Sequence, residues 1–233
     1  MNLARTQEVN QAEDMVRDAD GNPYHTVTVG QQIWLSQNLR TTRYRNGDEI
    51  PCIGDNIRWS SLETGAYCRY GNDIAHTEPY GLLYNWHAVS DIRGLAPEGF
   101  RVASSKDWDT LFSHLSSSGA NTVTALAADF GWPASPLPGT PGHDPTGNNS
   151  TRFTALPGGF RDLSGGYGHL GRHGNWWTSD AQGTHYAWYR CLFAGYARWF
   201  QFNNHKNNGF SVRCVRDAGT MNPHSDATPY HHQ

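Results

Sequence analysis

The chain has 233 residues, of which 37% are hydrophobic and 17% charged, with a formal net charge of −3. That length suits one globular domain or at most two small ones. No apolar run approaches the ~18 residues of a membrane helix, and the scattered arginines form no basic stripe, so a membrane span and a nucleic-acid partner are both excluded as expectations. Lysine occurs only at Lys106 and Lys206, while 9 Trp, 11 Tyr and 9 Phe are present. Binding surfaces share that bias toward aromatics and Arg.

In chain order, residues 1–16 are polar and read as an N-terminal arm. The opening MNLARTQEVNQAEDMV lacks the apolar stretch of a secretory signal peptide. Action outside the cell would then need assembly into a virion, lysis or another non-Sec route; otherwise the chain is expected to be cytoplasmic. RDADGNPYHTVTVGQQIWLSQNL reads as strands with turns at Asp20-Gly21 and Gly30-Gln31. Asp18, Asp20 and Asn22 faintly resemble a calcium loop but lack its distal glutamate, so an Asx-rich turn is expected. Residues 44–80 are loop-rich, with short pieces such as AYCRY, and YGLLYNWHAV is compactly apolar. Trp108, Leu111, Phe112 and Leu115 recur at helical spacing behind a Ser104/Asp107 capping box, with Gly119 as the stop. A second short helix is expected within NTVTALAADFGW. PASPLPGTPGHDPTGNNST reads as an exposed loop, sequon-like at Asn148 and Asn149. From Phe153 the chain is strand-like, and residues 218–233 read as a flexible tail.

The tests for chemistry are mostly negative. GYGHLG matches GxGxxG, but the strand-like NWWTSD follows it where a dinucleotide site needs a helix. The histidines are dispersed, and His224, His231 and His232 in the tail suit only adventitious metal. Asp107, Asp109 and Glu98 read as capping and solvated carboxylates. Cys52, Cys68, Cys191 and Cys214 form no CxxC pair. Cys52 and Cys68 are either bridged or reduced. No metal, cofactor or catalytic residue is expected.

Several of these segments together, DADGNPYHTVTVGQQIWLSQNLRTTRYRNGDEI, YGLLYNWHAV, GLAPEGFRVASSKDWDTL, FTALPGGFRD, GNWWTSD, WYRCLF and NNGFSVRCVRD, resemble in order the Fibrobacter succinogenes major paralogous domain. The resemblance runs over residues 17–217. It implies an α+β domain of C-type-lectin-like, formylglycine-generating-enzyme-like fold, with two helices, a twisted antiparallel sheet and much irregular loop. Trp176, Trp177, Phe210 and Val212 would belong to its core. The chain departs from the family pattern, which reads RVPT where RVASS stands here. It departs again where Cys191, Phe193, Gly195, Tyr196, Arg198, Phe200, Phe202 and His205 replace expected Asn. Such substitutions resemble those of a variable protein of a diversity-generating retroelement, in which adenines of a template repeat are copied with errors. Drift in an unconstrained Asn-rich strand is the plain alternative.

The resemblance implies a variable region at about 172–208, with Leu192 and Trp199 inward and a ligand-binding face outward. The face is assigned to His173, Tyr186, Tyr189, Cys191, Phe193, Tyr196, Arg198, Phe200, Phe202, Asn203 and His205. Its partner would be a protein or glycan on another cell or particle. The alternatives are a surface or scaffold domain that forms homo-oligomers through the same face and, more remotely, a formylglycine-generating-like oxidase using Cys191 and Cys214. The EPN, QPD and WND triplets of calcium-dependent lectins are absent, and EPY at Glu78 is a partial echo.

Overall fold

A computed structural model describes residues 15–219. The expectations for the first fourteen residues of the arm, and for tail residues 220–233 with their three histidines, lie outside the described residues. Met15 and Val16 are strand rather than arm: β1 (Met15–Arg17) pairs with β2 (Pro23–Val29), which turns into β3 (Gln32–Leu35). Asp18 explains the first turn. Its carboxylate accepts from the Asp20 and Asn22 amides at 2.9 and 3.0 Å and from the Tyr24 hydroxyl at 2.6 Å, which closes an Asx-type turn, while the Asp20 carboxylate accepts from the Thr42 amide and hydroxyl.

The remaining elements follow as α1 (Asn56–Ser60), β4 (Tyr67–Cys68), α2 (Thr77–Tyr80), β5 (Leu83–Tyr84), α3 (Trp86–Val89) and β6 (Arg101–Val102). Then come α4 (Ser105–Ser117), α5 (Thr122–Leu126), β7 (Gly158–Arg161), β8 (Tyr167–Leu170), β9 (His173–Gln182), β10 (Tyr186–Phe193), β11 (Trp199–His205) and β12 (Cys214–Asp217). The class is α+β with antiparallel sheets. One sheet has the order β1-β2-β3-β12-β6, a second β11-β10-β9, and β4-β5 and β7-β8 form two-stranded pairs. Five α-helices are present among the described residues where two were expected. The additional three span four or five residues each, too short to leave a periodic signal.

The capping box of α4 is complete. Ser104 Oγ accepts from the Asp107 amide at 3.1 Å, and Asp107 Oδ2 accepts from the Ser104 amide at 2.9 Å. The apolar face of α4 seats Trp108 among Trp34, Phe153, Trp176, Trp199 and Phe112, with ring centroids 5.1–6.0 Å away. α5 is shorter than its apolar run and ends at Leu126. The sequon-like Asn148 is buried, contrary to the exposed loop read from sequence. Its amide donates to the carbonyls of Ala128 and Pro141 at 3.1 and 2.7 Å, so it is a tether inside the loop.

GFSVRC is not one continuous strand. Gly209, Phe210 and Ser211 bridge singly to Arg161, Tyr84 and Trp176, and the segment threads between sheets before β12 begins. Arg213 anchors it. Its buried guanidinium donates to Asn38 Oδ1 and to the carbonyls of Leu35, Phe153 and Thr154 at 2.7–2.9 Å. Burial without a carboxylate partner lowers its pKa to about 9.

Candidate functional site: the two faces of the β9–β10–β11 sheet

β10 is the central strand of its sheet, and side chains on successive positions alternate faces. Leu192 lies opposite Trp199, and both pack with Trp108 and Trp176 over α4 and α5. Arg190 shares that face and pairs with Asp109 of α4. At Arg190, Leu192 and Trp199 this face is covered by helices, while farther along, at Tyr186, Gln201 and Asn203, it is exposed.

The other register runs Tyr189, Cys191, Phe193 on β10, opposite Phe202 and Phe200 on β11 and Trp177, Asn175 and His173 on β9. It was expected to point outward throughout. Tyr189 and Cys191 instead belong to the core, with relative exposures of 9% and 0%. The cause is the threaded segment before β12. Phe210 lies 4.6 Å from the Tyr189 ring and 4.4 Å from that of Trp177, so it roofs this end of the sheet. Burial pushes the Cys191 thiol up to about 12.

The roof ends beyond Cys191. Phe193 and Phe200 are half-buried, whereas Phe202 and Tyr196 are 44% and 53% exposed. The rings form one continuous comb. Phe200 stacks on Phe202 at 5.7 Å, meets Phe193 at 5.2 Å and takes the edge of Tyr196 at 5.3 Å. Exposed Arg198 lies over the Phe200 ring at 4.6 Å. His173 extends the comb from β9, 4.4 Å from Phe193. Among the nominated residues, then, His173, Phe193, Tyr196, Arg198, Phe200 and Phe202 are brought together.

Tyr186, Asn203 and His205 are not. Tyr186 is cross-strand partner to His205, and Asn203 to Trp188, so all three fall in the alternation of Arg190 and Gln201 rather than of Phe202. Their assignment to one face is corrected by strand parity alone. His205 instead stacks with His185 at 6.2 Å, beside a shallow cavity of about 210 Å³ that also includes His87 and Lys206. The retained Asn207 and Asn208 are buried; Asn207 donates to the Ser60 carbonyl at 3.0 Å and meets His87 at 3.1 Å. They hold the loop and are not displayed.

Two residues escaped sequence reasoning. His169 and Arg172 lie in and after GYGHLG, whose glycines drew attention to turns. The β8–β9 turn folds His169 flat onto His173, at 4.0 Å and 7° between ring planes. With Arg172, Phe193 and the turn residues Ala194–Tyr196, these imidazoles line an open cavity of about 660 Å³ beside the comb. His173 is held near 4, first by burial and then by the neighbouring His169 and Arg172. The i, i+4 spacing of His169 and His173 about Gly171 was the available signal.

Cys52, Cys68, Cys191 and Cys214 are unbridged, and burial raises Cys68 to about 11 and Cys214 to about 12. No cluster of three or more metal-ligating side chains occurs among the described residues, and no described helix is long and apolar enough to cross a membrane.

No curated protein and no solved structure matches the chain. The model of the Fibrobacter succinogenes major domain matches residues 27–216, and the chain belongs to that family.

Proposed function

We propose that the protein is a non-enzymatic ligand-recognition module that presents the Phe193–Tyr196–Phe200–Phe202 comb from a C-type-lectin-like scaffold, as the variable protein of a diversity-generating retroelement. The observation that carries this reading is that, over one end of β10 and β11, Leu192 and Trp199 pack toward the helices while Phe193, Phe200 and Phe202 form a continuous, partly open comb on the opposite face. Rigid rings give contact area at low entropic cost. The two exposed rings, Tyr196 and Phe202, burying ~100 Å² each, would gain ~5 kcal/mol gross, of which association consumes a large share.

Diversification gains support from Gly195. A side chain added there meets no atom within 4 Å, so this turn position accepts substitution without strain. Cys191 sets the limit of the variable face, because its neighbours are core atoms.

The test is binding of the immobilised full chain to arrays of defined glycans and cell-surface proteins, beside the double variant Tyr196→Ser/Phe202→Ser. The expected result is capture by the native chain and its loss in a double variant of equal melting temperature. Retained capture, or none by the native chain, overturns the reading. A native oligomer that the double variant dissolves would assign the comb to self-association instead.

A further inference from the structure

The cavity beside the comb has a chemistry distinct from the comb itself. Its floor and walls combine Phe193 and Tyr196 rings with the stacked His169–His173 pair and the Arg172 guanidinium, and no carboxylate lines it. At about 660 Å³ and open to solvent, it is a surface depression that would cradle one face of a small ligand. Arg172 is exposed and has neither an ion pair nor a side-chain hydrogen bond among the described residues, and Arg198 at the comb has only its contact with Phe200. By contrast Arg93, Arg101 and Arg190 are each matched to carboxylates. A chain of net negative charge thus leaves unmatched positive charge at one aromatic corner.

His169 adds an independent sign. Its φ of 59° lies in the left-handed region, which costs a non-glycine residue free energy. That conformation brings its ring against both His173 and Phe160, at 4.0 and 5.5 Å, in a three-ring cluster in which Phe160 and His173 are themselves 6.4 Å apart. With His173 uncharged at neutral pH, its imidazole offers one donor and one acceptor, beside the Arg172 guanidinium.

We propose that this cavity binds a carboxylate-bearing pyranose, its ring face against Phe193 and Tyr196 and its carboxylate on Arg172. This rests on the recognition reading above and names its ligand class. A guanidinium meets a carboxylate in a two-pronged hydrogen bond. Three further hydrogen-bonding side chains, His169, His173 and Tyr196, suit the hydroxyls of a sugar; an aromatic acid would leave them unused.

Isothermal titration of the full chain with methyl glucuronide, a methyl sialoside, methyl glucoside and benzoate tests the proposal. At least one acidic sugar should bind about tenfold or more tightly than methyl glucoside, and benzoate no more tightly than the glucoside. Arg172→Gln should bring the acidic sugar to the level of the glucoside with an unchanged melting temperature, while Arg58→Gln, at a remote surface arginine, leaves it unaltered. Equal binding of acidic and neutral sugar, no binding of either acidic sugar, benzoate matching the sugar, or equal loss in both arginine variants would each overturn it. If acidic sugars fail while the double comb variant still loses its array partner, this inference falls and the recognition reading stands.

Discussion

Cys191 and Phe200 are directly opposed across the β10–β11 hairpin, yet Cys191 is sealed in the core and Phe200 is half-exposed. The boundary of the displayed face therefore passes between these two residues, and on β10 between Cys191 and Phe193. Position 191 should resist what position 202 tolerates. Cys191→Tyr overpacks the core and is expected to cost about 1–3 kcal/mol, whereas Phe202→Ser should stay within about 0.5 kcal/mol of the native chain. Urea unfolding midpoints of the two variants decide this, and equal midpoints would contradict the boundary.

Thiol reactivity reports the same burial. Cys52 is exposed, and Cys68, Cys191 and Cys214 are buried with raised pKa values. An aromatic-disulfide reagent should titrate one fast thiol per native chain and all four in denaturant. Fast reaction of a second thiol that disappears in Cys191→Ala would place Cys191 at the surface.

Arg213 is expected to be a stability determinant. Arg213→Lys keeps the charge but cannot span Asn38 and the three carbonyls of Leu35, Phe153 and Thr154. Leaving buried acceptors unmatched should cost about 2 kcal/mol or more, read as a lowered melting temperature.

Acid should weaken the fold through His173. The folded ring titrates near 4 against an ordinary 6.5, so below about 6.5 the unfolded chain takes up a proton that the folded chain refuses. Stability falls as pH drops through that window, reaching its full loss below about 4. Melting curves between pH 7 and pH 4 should show a flatter acid limb for His173→Phe than for the native chain; identical limbs would contradict the assignment.

The sequence made much of this architecture legible. The Asp18 turn, the α4 capping box and the Trp108 stripe are local signals, and each depends on residues within a few positions of one another. Strand alternation likewise separated Leu192 and Trp199 from Phe193 and Phe200. What alternation could not supply was the cover: Phe210 reaches Tyr189 only because 209–212 threads between sheets, a tertiary event with no local pattern. The placement of Tyr186, Asn203 and His205 is legible by counting parity, since each lies an even number of positions from Arg190 or Gln201 on its own strand. Asn148 looked like loop surface because its partners, Ala128 and Pro141, come from the other side of that loop.

The most direct measurement is the sequencing of this locus across a population of its source. An adjacent reverse-transcriptase gene and a near-identical template repeat are expected. Codons 193, 195, 196, 198, 200 and 202 should vary where the template carries adenine, and Leu192 and Trp199 should stay fixed. Variation spread evenly over the helix-facing and displayed positions, with no template repeat, would contradict that expectation.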